Sequence, residues 1–295
     1  MVCLWLPRWK GACIMRLTPK SDIDVKKVFI RVKDRRVPLL ILRPKNPVCQ
    51  KKKAGVLWIH GGGYLTGMKE MVYAGRAENL VRRFGVTVIA PGYHLAFMKP
   101  YPAAIEDCYA ALLFMKKHAD EYGIRLDQLM VGGESAGGGL AAAVCIKARN
   151  RGDVNVAFQM PLYPMLDNFD TETSKDNHAK VWNTKTNHLA WKLYLRENYR
   201  QEVSPYAAPA RLKDFRGLPP AYSFVGTAEP FYAETLSYFE HLKEAGVECE
   251  LDIYPDMYHA FDMMEPKLPV SQTAGRIFEE KFAYAMRHYT CPQKK

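Results

Sequence analysis

Residues 129–148 read Leu-Met-Val-Gly-Gly-Glu-Ser-Ala-Gly-Gly-Gly-Leu-Ala-Ala-Ala-Val-Cys-Ile-Lys-Ala. A short apolar run (129–132) enters a glycine turn and leaves as an Ala-rich helical segment (136–148). The turn, Gly133-Glu134-Ser135-Ala136-Gly137, fits G-x-S-x-G in the strand–turn–helix context that gives that pattern meaning. A turn this tight leaves no room for side chains at its flanking positions, which are both glycine. It lifts the Ser135 hydroxyl clear of the sheet, with the positive end of a helix just behind it.

Working outward, strands and helices alternate. Residues 25–32 and 37–43 predict a hairpin closed by Lys33-Asp34-Arg35-Arg36. Further strands are expected at 55–60, 86–90, 156–162, 221–225 and 248–254, and helices at 70–84, 103–121, 188–199, 231–245 and 271–289. Repeated strand–helix units imply a mostly parallel sheet of eight strands with helices on both faces, an α/β fold with the hairpin at one edge. Residues 163–202 interrupt the alternation for about 40 residues and read as a small lid over the strand ends.

A second motif, His60-Gly61-Gly62-Gly63, ends the strand at 55–60. Three glycines let backbone N–H groups approach a substrate oxygen, as an oxyanion hole requires. No Gly-Lys-Ser/Thr follows, so a phosphate loop is not expected. Of the eight histidines, His118, His241 and His288 fall in helical segments, His178 and His188 in the interruption, and His60 and His94 upstream of the serine. His259 alone follows the last strand, in a loop from which a general base reaches Ser135.

With these motifs the chain resembles the hormone-sensitive lipase family of α/β-hydrolases, in the bacterial esterase branch that carries HGGG. Within it the chain is most similar to small acetylesterase-type carboxylesterases. The resemblance runs from about residue 25 and takes in Tyr93-His94-Leu95-Ala96, 100–107, Gly226-Thr227-Ala228-Glu229-Pro230 and Tyr258-His259-Ala260-Phe261. It implies a serine carboxylesterase acting on short-chain, acetyl-type esters, with the chain order Ser135, Glu229, His259. It further implies Gly62, Gly63 and Ala136 as oxyanion donors, and neither metal nor organic cofactor. Glu229 stands where relatives usually carry Asp; the fold accepts either. Asp256 and Glu234 are its rivals.

Two departures matter. Where the family commonly has Asp-Tyr-Arg-Leu-Ala-Pro-Glu, this chain has Gly92-Tyr93-His94-Leu95-Ala96-Phe97-Met98, so no arginine-centred network is expected from this segment. Many relatives also carry a longer N-terminal helical segment, so the lid is expected to be smaller or more open. Tyr64, Leu65, Glu134, Trp182 and Tyr258 are candidate pocket residues, with Trp191 also in the lid segment. Bulky groups there favour a small acyl group. An amide hydrolase with the same triad, such as an arylformamidase or peptidase, is the alternative reading. A ligand-binding receptor that keeps the pocket is the third, and retention of Ser135 and His259 counts against it.

The remaining composition bounds the partners. The formal net charge is +11, but residues 1–53 hold 15 of the 42 Lys and Arg and 3 of the 31 Asp and Glu, leaving the rest close to neutral. The excess reads as a solvated, aggregation-resistant edge rather than a nucleic-acid surface. No apolar run approaches the roughly 18 residues of a membrane span. The seven cysteines are odd in number and lack CxxC spacing, which suits a reducing cytoplasm rather than a disulfide framework. Cys108 and Cys145 read as small core residues. Residues 1–24 are expected to be a loose leader, with Met15 a candidate start, and 25–295 the hydrolase domain. An edge-strand or last-helix homodimer suits the architecture, and a small-molecule ester is the expected partner.

Overall fold

The computed structural model describes residues 18–46 and 51–294. Most of the expected leader, and the Met15 start, therefore lie outside the described residues. Eight strands form one sheet: β1 (Ile23–Val32), β2 (Arg35–Pro44), β3 (Lys53–Ile59), β4 (Thr87–Pro91), β5 (Ile124–Glu134), β6 (Phe158–Leu162), β7 (Ala221–Gly226) and β8 (Cys249–Tyr254), in spatial order β1-β2-β4-β3-β5-β6-β7-β8. The hairpin partners β1–β2 and the junction β2–β4 are antiparallel, and all other pairs are parallel. Strands β4 and β6 are buried throughout, as parallel strands covered on both faces must be, whereas β1 alternates and carries its lysines on the outer edge.

The covering helices are α1 (Arg76–Phe84), α2 (Ala103–Lys117), α3 (Ala136–Arg151), α4 (Thr184–Leu195), α5 (Tyr232–Glu244), the single turn α6 (Phe261–Met264) and α7 (Pro269–His288). One large apolar cluster lies under α2, α3 and α4, and a second lies between the opposite sheet face and α1 and α7. Cys108 and Cys145 are buried in the first. Among the described residues no helix is long and apolar enough to cross a membrane.

Four of the boundaries that differ from the sequence reading have a clear local reason. The hairpin turn is only Lys33-Asp34, with Lys33 at φ 55°, so Arg35 and Arg36 belong to β2 and pair with Val32 and Arg31. The helix expected at 70–84 breaks at Gly75, which is extended; a 3-10 turn (Lys69–Ala74) precedes α1. Gly is the weakest ordinary helix former, and the break directs Arg76 inward. β5 begins at Ile124 rather than 129, because its polar first half is satisfied at the sheet margin: Arg125 pairs with Asp127, and Gln128 Nε2 donates to Met286 O at 2.7 Å. α4 starts four residues before the expected 188 because Asn183 caps it, its side chain accepting from Thr186 N at 3.1 Å.

Candidate active site

Every sequence-selected group falls at the carboxyl ends of parallel strands: the glycine loop after β3, Ser135 after β5, Glu229 after β7 and His259 after β8. This edge is where open α/β sheets place their ligands. Ser135 sits at φ 58°, ψ −123°, a strained conformation that a β-to-α elbow imposes. The elbow closes so tightly that a Cβ on Gly137 would lie 2.1 Å from the Ile59 carbonyl oxygen.

Ser135 Oγ donates to His259 Nε2 at 2.9 Å, and His259 Nδ1 donates to Glu229 Oε2 at 2.5 Å. The carboxylate on Nδ1 fixes the tautomer that leaves Nε2 free to accept. Glu229 is fully buried and its second oxygen accepts from Gly226 N at 3.1 Å. The rivals are elsewhere. Asp256 is exposed, and Glu234 is buried with Oε1 accepting from Leu166 N and Asp167 N at 2.6 and 3.2 Å. Around the imidazole stand Tyr163 and Phe231, both edge-on, at 5.2 and 4.9 Å between ring centres, and Trp182 at 6.3 Å.

The glycine loop packs directly on the elbow: a Cβ on Gly61 would meet Glu134 O at 2.9 Å and Ser135 Cβ at 3.2 Å. Gly62 and Gly63 have φ of 113° and 61°. The N–H groups of the first turn of α3, Ala136 among them, have no intrahelical carbonyl to bond. His60 is buried beneath the loop, and its Nδ1 donates to Gly61 O at 2.8 Å. Its ring stacks on Tyr93 at 4.2 Å, and Tyr93 OH donates to His60 O at 3.1 Å. Burial holds the His60 pKa down at about 4, so it is a neutral strut.

Of the candidate pocket residues, Trp182 is the one whose ring lies beside the His259 imidazole. Its ring lies over Gly63, where a Cβ would fall 2.0 Å from Cη2. Tyr64 is 1% exposed, stacked on Tyr194 at 4.0 Å and tilted against Trp191, so it packs under the loop instead of facing a ligand. Leu65 packs partly buried against the same cluster, and the Tyr258 hydroxyl bonds Glu265. Glu134 turns away from the pocket: it is buried, accepts from Trp58 Nε1 at 2.9 Å, and burial lifts its pKa to about 7 against the opposing Arg76 charge and Trp58 hydrogen bond.

The missing arginine of the 92–98 segment is supplied from β2. Arg35 donates to Asp107 Oδ1 from Nε and Nη2 at 3.1 Å each, while His94 N and Nδ1 bond Asp107 Oδ2 at 3.0 and 2.6 Å. An arginine-centred cluster does stand beside this segment, with its cation drawn from β2 rather than from residues 92–98. Sequence reasoning also passed over Phe231 and Tyr163. Both directly follow a motif or strand end, and that position was the available signal.

A sequence profile of the α/β-hydrolase fold matches residues 56–263. The chain is 32% identical over 232 residues to the carboxylesterase NlhH of Mycobacterium tuberculosis, covering 76% of this chain and 71% of the relative. It is 27% identical over 233 residues to the ethyl acetate hydrolase of Pseudomonas putida, covering 77% and 72%. Among solved structures it superposes on a bacterial heroin esterase with a TM-score of 0.86 at 33% identity, covering 90% of this chain and 85% of the other.

Proposed function

The chain belongs to the α/β-hydrolase family, in its hormone-sensitive-lipase-like esterase branch of carboxylic ester hydrolases, and from that membership we propose that it cleaves short-chain acyl esters through an acyl-enzyme on Ser135. The observation that carries the reading is the unbroken chain of hydrogen bonds from Ser135 Oγ through His259 to Glu229. Ser135 Oγ attacks the ester carbonyl carbon as its proton passes to His259 Nε2. The carbonyl oxygen becomes an oxyanion facing the N–H groups of Gly62, Gly63 and Ala136. Collapse breaks the ester C–O bond, and the imidazolium returns its proton to the leaving alcohol. Water, deprotonated by His259, then releases the acid.

Short acyl groups fit the aromatic wall of Trp182 and Phe231 against the imidazole. The segment 163–202 acts as the lid. It is tied to the Glu229 turn by Thr173 Oγ1 donating to Pro230 O at 2.8 Å and Asn177 Nδ2 donating to Ala228 O at 3.2 Å. The name of the Pseudomonas putida relative, an ethyl acetate hydrolase, agrees with an acetyl ester as substrate.

The test is hydrolysis of p-nitrophenyl esters from C2 to C12. Rates peaking at C2 to C4 support the reading. Equal or higher kcat/KM at C8 to C12 contradicts the acyl preference, and faster turnover of aryl formamides than of any ester contradicts the choice of ester over amide.

A further inference from the structure

Arg76 opens α1 with its side chain 10% exposed, and it reaches three groups that surround the reacting pair without touching it. Its Nη2 is ion-paired with Asp262, three residues beyond His259. Its Nη1 is 3.7 Å from Glu134 Oε1, the residue immediately before Ser135. The same Nη1 donates at 3.5 Å to the hydroxyl of Tyr163, whose ring stands edge-on to His259. The guanidinium is itself fixed over the Phe224 and Phe278 rings, 5.0 and 5.5 Å from their centres.

The two loops that Arg76 joins each contain a residue in the left-handed region: Ser135 at φ 58° and Ala260, next to the histidine, at φ 56°. Such conformations persist only where their surroundings over-determine them. Among the described residues, no backbone hydrogen bond runs directly from the serine turn to the histidine loop. A rigid planar cation with several donors can hold two carboxylates at a fixed separation.

We propose that Arg76 is a positioning residue that clamps the histidine loop, through Asp262, to the serine turn, through Glu134, and so sets the distance from Ser135 Oγ to His259 Nε2. The proposal rests on the Ser135–His259 reading above. Misplacement of a reacting group by about 1 Å costs up to ~10²-fold in rate, so a loosened clamp lowers kcat while leaving substrate binding nearly intact.

The experiment measures kcat and KM for p-nitrophenyl acetate at pH 8 in Asp262→Asn, Arg76→Met and the double variant. Rates are expressed per site titrated with diethyl p-nitrophenyl phosphate. Each single variant is expected to lose roughly tenfold in kcat with KM within about twofold, and the double variant to be no worse than the poorer single, because one linkage is broken twice. Arg76→Lys, which keeps the charge, is expected to recover part of the loss. A merely structural role would lower the melting temperature or the number of titratable sites and leave kcat per site unchanged, and that result overturns the proposal. Losses that multiply in the double variant overturn it as well. Should Arg76→Met fail to fold, the nearly isosteric Asp262→Asn decides alone, and kcat within twofold of wild type overturns it. Ser135→Ala is the separate control: activity surviving there removes the underlying reading, whereas an inactive Ser135→Ala beside a fully active Asp262→Asn removes the clamp only.

Discussion

The Glu229 carboxylate holds His259 Nδ1 at 2.5 Å with one oxygen while Gly226 N pins the other at 3.1 Å. A glutamate reaches the imidazole from this position with its carboxylate fully buried just after β7. Glu229→Gln keeps the shape but presents an amide to the imidazole, and it is expected to lower kcat on the order of 10³- to 10⁴-fold, as loss of the orienting carboxylate does in triads generally. Steady-state kinetics on p-nitrophenyl acetate checks this. Near-wild-type turnover would return the role to another acid, and Asp256 would be the next variant to make.

Trp182 stands over Gly63 and against His259 and Phe231. Trp182→Ala is expected to raise the ratio of C8 to C2 activity by about tenfold or more, since each methylene admitted to an apolar pocket contributes roughly 1 kcal/mol. The chain-length profile of the variant measures it. An unchanged profile would mean that the acyl limit lies elsewhere.

His60 and Glu134 give opposite pH dependences of stability. Burial depresses the His60 pKa from 6.5 to about 4, so between those values the unfolded chain takes up a proton that the native state refuses. Stability from this group falls as pH falls from 6.5 to 4, by on the order of 3 kcal/mol. Burial raises the Glu134 pKa from 4.5 to about 7, so the native state keeps a proton that the unfolded chain releases. Stability from this group falls as pH rises from 4.5 to 7, by a similar amount. Denaturation across pH 4 to 7.5 should therefore show Glu134→Gln gaining on wild type as pH rises, and His60→Gln gaining on wild type as pH falls. Parallel curves for variant and wild type would contradict the assignment.

The Arg35–Asp107–His94 cluster bears on stability. Asp107 is fully buried between Arg35 and His94. Arg35→Met leaves that carboxylate without its guanidinium and is expected to destabilise by about 3 kcal/mol or more, with kcat per folded site little changed. Urea unfolding monitored by tryptophan fluorescence measures the first, and kinetics the second.

Much of this site is legible in the sequence because its chemistry demands glycine. Gly137 lies against the Ile59 carbonyl and Gly63 against Trp182, contacts that admit no side chain, so the motifs announce themselves. His259 could be reached by chain order alone. Arg35 and Arg76 illustrate what was not legible. Arg35 meets Asp107 from 72 positions away and Arg76 meets Asp262 from 186, and no periodicity encodes such meetings. Tyr64 looked like pocket lining because it follows the glycines, yet its φ of 61° turns it into the core against Tyr194. The 124–128 half of β5 was missed because its polar residues are satisfied at the sheet margin rather than by burial.

The proposed acyl-enzyme makes Ser135 the nucleophile, activated by His259. The most direct measurement is intact-protein mass spectrometry after treatment with diethyl p-nitrophenyl phosphate, followed by peptide mapping. One diethylphosphoryl adduct per chain, located on Ser135, formed in step with loss of esterase activity and absent from both Ser135→Ala and His259→Ala, is the predicted result. Inactivation with the adduct on another residue, or full esterase activity in Ser135→Ala, would contradict the account.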